Sequence, residues 1–125
     1  MNVQRSDVVL VDFPYTGGAG SKVRLALVIQ NDWDNVRLVN TIVAQITGTT
    51  HRALEATQVL IELNTPEGKQ SGLLFESVVN CVNLVTLEKT KVLRRLGDLP
   101  DVLMRKVNDA LKAALELPGK GCARP

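Results

Sequence analysis

The chain has 125 residues, 45% of them hydrophobic and 22% charged, and a formal net charge of +2. That length buries one real core, and the balance is ordinary for a globular protein and too apolar for a disordered one. The charge alone is too small to mark a nucleic-acid binder, and two cysteines are too few for a disulfide framework. No charged-then-apolar leader or bilayer-length run occurs, so a reduced cytoplasmic setting without membrane contact is expected.

Asp7–Phe13 (DVVLVDF) is short, rich in β-branched residues and bounded by polar ones, which predicts a strand. Pro14–Lys22 follows as a glycine-rich, flexible loop. Arg24–Gln30 (RLALVIQ) predicts a second strand, and Asn31–Asn35 (NDWDN) a turn, because Asn and Asp bond their own backbone. Arg37–Thr47 predicts a third strand whose middle is apolar at successive positions, as in a strand covered on both faces. Gly48–Ala56 reads as loop, Thr57–Leu63 as a fourth strand, Asn64–Gly72 as a turn region and Ser77–Leu87 as a fifth strand.

The period then changes. The segment EKTKVLRRLG predicts one or two helical turns ended by Gly97. From Pro100 the spacing of Leu103, Val107, Ala110, Leu111, Ala114 and Leu115 predicts an amphipathic helix that Pro118 ends. The fold class is therefore mainly β with a terminal helix. A small, strongly bent barrel with the helix packed on it is the economical arrangement. Residues 1–117 read as one domain and 118–125 as a flexible tail.

Few segments carry chemistry. GGAGSK has glycine, serine and lysine, but the order Ser21-Lys22 and the strand that follows are wrong for a phosphate loop. It remains a loop that can hold Lys22 over a neighbouring site. His51 is the single histidine, so a two-histidine acid–base pair within one chain is excluded. Aromatic residues are Phe13, Tyr15, Trp33 and Phe75, fewer than a stacking platform for single strands uses. No cluster of His, Cys and carboxylates has metal-ligand spacing, so no metal or cofactor is expected. Arg24 and Thr47 each stand at the end of a predicted strand, with Thr49 and Thr50 just beyond. A cation and hydroxyls meeting at one edge of the sheet would form an anion site.

In order along the chain come RSDVVLVDF, GGAGSK, RLALVIQND, VAQIT, ESVVN and MRKVNDALKAAL. Together they resemble the MazF/PemK family of toxin endoribonucleases, over nearly the whole sequence. The resemblance implies an SH3-like or CcdB-like barrel, a homodimer, and metal-independent cleavage of single-stranded mRNA held silent by an acidic antitoxin. It places the catalytic pair on Arg24 and Thr47. Ser21, Lys22, Thr49, Thr50 and Asn83 are the candidate RNA-binding residues. The chain departs from the family pattern in three places. Ser6 stands for a glycine, Leu25 for a proline, and Val82-Asn83 for Glu-Gln. Two other functions share the fold: a CcdB-like toxin that binds gyrase and cuts nothing, and a member that only binds an antitoxin.

Overall fold

Strand β1 (Asp7–Pro14) has Val8, Val9 and Val11 fully buried, so both of its faces must be covered. The computed structural model describes residues 2–14 and 20–118. Segment 15–19 of the glycine-rich loop and tail residues 119–125 lie outside the described residues. The remaining elements are β2 (Ser21–Val28), α1 (Asp32–Arg37), β3 (Asn40–Thr47), β4 (Gln58–Ile61), α2 (Pro66–Gln70), β5 (Ser77–Glu88), β6 (Val92–Asp98) and α3 (Asp101–Leu115). A 3-10 turn, Lys89–Lys91, joins the last two strands.

Among the described residues the six strands form one antiparallel sheet in the order β4-β5-β3-β2-β1-β6. Adjacent residues on a strand face opposite ways, and the sheet builds a core on each side. One cluster takes Val8, Leu27, Ala44, Ile46 and Val79 from the sheet and Leu103, Met104 and Val107 from α3. The other takes Val9, Val11, Ala26, Val28 and Val43 together with Leu87 and Val92. Val9 and Leu87 come from strands three places apart in the sheet, so the sheet curls to bring them together. The barrel expected from the sequence does not close: β4 and β6 pair on one side only.

The segment expected to be helical after residue 88 is instead the 3-10 turn and β6. The reason lies in its pairing with β1. Val8 stands opposite Gly97 but Val9 opposite Arg95, and Leu10 opposite Arg94 but Val11 opposite Val92. Two bulges thus leave Leu96 and Leu93 as extra residues, three apart. That spacing mimics a helix. Gly97 ends no helix; a Cβ there would lie 2.4 Å from the carbonyl oxygen of Gln70, so glycine lets the end of α2 approach the strand.

Smaller differences have local causes. The expected NDWDN turn grows into α1 because the Asn31 side chain accepts from the Asp34 N–H at 2.9 Å and caps it. Arg37 therefore belongs to α1, and β3 starts only at Asn40. The turn region Asn64–Gly72 contains α2, capped by Thr65. Helix α3 stops at Leu115, before Pro118, through a left-handed Glu116 at φ 56°.

Two positions give measurable consequences. Ser6 sits at φ 85°, where an L side chain is strained, and its backbone bonds both Val28 and Leu99. Ser6→Gly is expected to raise unfolding stability by about 0.5–1 kcal/mol, the strain relieved less the freedom gained by the unfolded chain. Urea unfolding of the two proteins measures it.

Cys81 is buried in the first cluster, and burial pushes its thiol up to about 11 from an ordinary 9.0. The folded chain keeps this proton where the unfolded chain releases it. Its contribution is whole below pH 9 and falls away as pH rises through 11. The loss should reach about 2–3 kcal/mol. It is read as the difference in pH dependence between the parent and Cys81→Ala.

Candidate active site

The register of β2 and β3 runs from Val28 opposite Val43 to Leu25 opposite Ile46. One residue further sets Arg24 across from Thr47, where the two strands part. Opposed residues share a face of the sheet. Leu25 and Ile46 turn toward the core under α3, so Arg24 and Thr47 turn to the other face. Arg24 also pairs with Val11 of β1, which fixes its backbone on the far side. Its side chain is half-buried and makes no hydrogen bond or ion pair among the described residues. The Thr47 hydroxyl oxygen accepts from the Thr49 N–H at 3.2 Å, which leaves its proton free to donate. Five guanidinium donors and one hydroxyl donor therefore share one face at one open end of the sheet, an arrangement suited to a phosphate group.

Beside this pair β5 departs from a regular strand. Gln45 stands opposite Asn80 while Ala44 stands opposite Leu84. Residues 81–83 are thus extra, and a bulge strips their backbone of partners across β3. Asn80 repairs part of this: its Oδ1 accepts from the Val82 N–H at 3.0 Å. The same oxygen accepts from Gln58 Nε2 of β4 at 3.0 Å. Asn83, on the bulge, donates to Gln45 Oε1. By alternation Gln45 and Asn80 lie on the same face as Thr47.

The structure gathers some of the sequence candidates and separates others. Lys22 is exposed and two residues from Arg24 on the same face of β2. Thr49 and Thr50 are exposed just past Thr47, and Asn83 joins the site through Gln45. Ser21 alternates to the opposite face of β2. At the end of the sheet it lines a cavity of about 420 Å³ with Asp12, Leu87, Glu88 and Lys91. His51 is exposed in the turn after β3. Leu25 packs against the core, so leucine is accommodated beside Arg24. Among the described residues no three His, Cys, Asp or Glu side chains are gathered as a metal site would need. No described helix is long and apolar enough to cross a membrane.

A family model described as PemK-like, MazF-like toxin of type II toxin-antitoxin systems matches residues 4–115. The chain belongs to this family. Endoribonuclease MazF6 of Mycobacterium tuberculosis is 35% identical over 119 residues, which are 94% of this chain and 100% of that protein. Endoribonuclease EndoA of Bacillus subtilis is 35% identical over 118 residues, 94% of this chain and 97% of its own. Among solved structures, a mycobacterial endoribonuclease in complex with its cognate antitoxin superposes with a TM-score of 0.71 at 27% identity. That superposition covers 94% of this chain and 98% of the other. A MazE–MazF structure from Deinococcus radiodurans, at 16% identity and TM-score 0.71, shares the fold and covers 94% and 100% of the two chains.

In this PemK/MazF-family chain, Gln45, Gln58 and Asn80 are the residues that the sequence reading missed. The available signal was an amide placed inside an apolar strand, as in VAQIT, TQVLI and SVVNCV. Such a side chain needs a partner when the strand is buried, and here Gln58 donates to Asn80 while Gln45 accepts from Asn83. Asn80→Ala removes the acceptor of both Val82 and the buried Gln58. It should cost about 1–3 kcal/mol of unfolding stability, measured by denaturant titration.

Proposed function

We propose that this chain is the toxin of a type II toxin–antitoxin pair and a metal-independent endoribonuclease that cuts single-stranded mRNA in the cytoplasm. Family membership and the endoribonuclease names of relatives at 35% identity support the activity. The observation that carries the mechanism is the juxtaposition of Arg24, with no partner among the described residues, and Thr47 at the open end of β2 and β3.

RNA brings its own nucleophile, the 2′-OH. Attack on the adjacent phosphorus forms the 2′-O–P bond and breaks the P–5′-O bond. The 2′-OH gives up its proton to water and the departing 5′-oxygen takes one up from water, so the products are a 2′,3′-cyclic phosphate and a 5′-OH. Charge builds on the non-bridging oxygens of the phosphorane on the way. Arg24 donates to those oxygens, and its bonds strengthen as charge develops. Thr47 donates its free hydroxyl proton to a phosphate oxygen and holds the group in line. Arginine stays protonated, so its part is charge stabilisation and not proton abstraction. Lys22 on β2 and Thr49 and Thr50 past the end of β3 extend the phosphate track.

The protein partner in this reading is an acidic antitoxin, and the active form is a homodimer. A relative solved with its cognate antitoxin supports the first. The net charge of +2 agrees with an acidic partner.

The test is incubation of pure protein with a long single-stranded RNA in EDTA, with both new ends mapped. Cleavage in EDTA with cyclic phosphate ends is expected. Arg24→Ala and Thr47→Ala should each lower the rate by about a hundredfold or more. His51→Ala should change it little. Cleavage lost in EDTA and restored by magnesium would overturn the metal-independent mechanism. Intact RNA would leave a gyrase-binding or antitoxin-binding protein.

A further inference from the structure

In the proposed reading Arg24 and Thr47 hold a phosphate, which is the same at every nucleotide and carries no sequence information. The amides beside them are different. A backbone N–H can only donate, so the atom of Asn80 facing Val82 must be its oxygen. Gln58, 8% exposed and bonded also to Thr57, donates to that same oxygen. Asn80 is thereby held from two sides in one orientation. Its Nδ2 amine turns away with two N–H donors that no described residue accepts, on a half-buried side chain.

This amine lies on the site's face, opposite Gln45 and one alternation from the position opposite Thr47. That is about 7 Å along the strand, beside the phosphate position and not on it. An oriented, neutral donor there meets the neighbouring base. In a single strand the base edges are unstacked and open to hydrogen bonding. Guanine and uracil present a carbonyl oxygen where adenine and cytosine present an amino group. At that exocyclic position a donor-only group bonds the first pair and meets a like donor on the second.

We propose that Asn80, locked by Val82 and Gln58, is a base-reading residue that selects guanine or uracil at the nucleotide adjoining the scissile phosphate. The proposal rests on the endoribonuclease reading for its substrate, and its test separates the two.

Asn80→Asp is the informative variant. Aspartate keeps an oxygen toward Val82 and Gln58, so the bulge retains both bonds. It replaces the outward donor with an acceptor. A random-sequence RNA pool is cut by the parent and by the variant, and the ends are sequenced. One position flanking the cut should change from guanine or uracil to adenine or cytosine. The rate on the parent's preferred sequence should fall about tenfold or more. A uniform fall, from added negative charge near RNA, leaves the profile's shape intact and overturns the proposal, as does an unchanged profile.

The same two proteins are then compared for retention of a 2′-fluoro pool, which has no 2′-OH to attack. If the parent cuts nothing, the endoribonuclease reading fails. The base preference of this uncut pool still decides on Asn80: a shift at one position supports it, and identical or featureless pools overturn it. Equal urea midpoints for the two proteins show that the bulge has survived.

Discussion

The bulge in β5 is the constraint on which the rest of the structure depends. A strand of twelve residues, Ser77–Glu88, must serve two cores on opposite sides of a curled sheet. A regular strand would hold one register against β3 from end to end. The three extra residues between Asn80 and Leu84 let each half take its own register. The first half then gives Val79 and Cys81 to the core beneath α3, and the second gives Leu87 to the other. The cost of a bulge is unpaired backbone in a half-buried place. Asn80 offsets it by accepting from Val82 with a side chain that Gln58 holds still.

The site follows from where pairing stops. Strands β2 and β3 are bonded as far as Leu25 and Ile46, while β1 keeps β2 company to Ser21. Arg24 is thus backed by a strand on one side and open on the other. A second polar group steadies the opposite end of the sheet: buried Gln30, Asn35 and Thr41 bond one another and tie α1 to β3. Both ends of β3 are therefore fixed by side-chain amides or hydroxyls, and the apolar residues between them carry the burial. A phosphate site at such an edge needs little further architecture, since rigid strands place the donors.

In the proposed reading the division of labour within the site is chemical. A cation and a hydroxyl suit a charged, sequence-independent group. Neutral amides on the adjoining bulge suit bases, where donor and acceptor patterns differ. The departure from the family pattern at Val82-Asn83 falls in this part. Val82 is exposed, and Asn83 turns inward to Gln45. Arg24 and Thr47 are untouched by these changes, because they stand on other strands.

The sequence by itself determined what depends on local pattern. Short, apolar, β-branched runs between turn residues marked five of the strands, the 3.6-residue spacing after Pro100 marked α3, and the order of motifs pointed to the family and to Arg24 and Thr47. Ser6 stood out at once as a departure, though its positive φ could be read only from the backbone. Tertiary structure alone decided the sixth strand, since the bulges opposite β1 set Leu93 and Leu96 at a helix-like interval. It alone moved Ser21 away from Arg24, because strand alternation sends neighbours to opposite faces. It also joined Gln45 with Asn83 and Gln58 with Asn80, across separations of 38 and 22 residues. Local pattern records which side of an element a residue faces; which distant strand lies opposite is fixed only when both cores pack together.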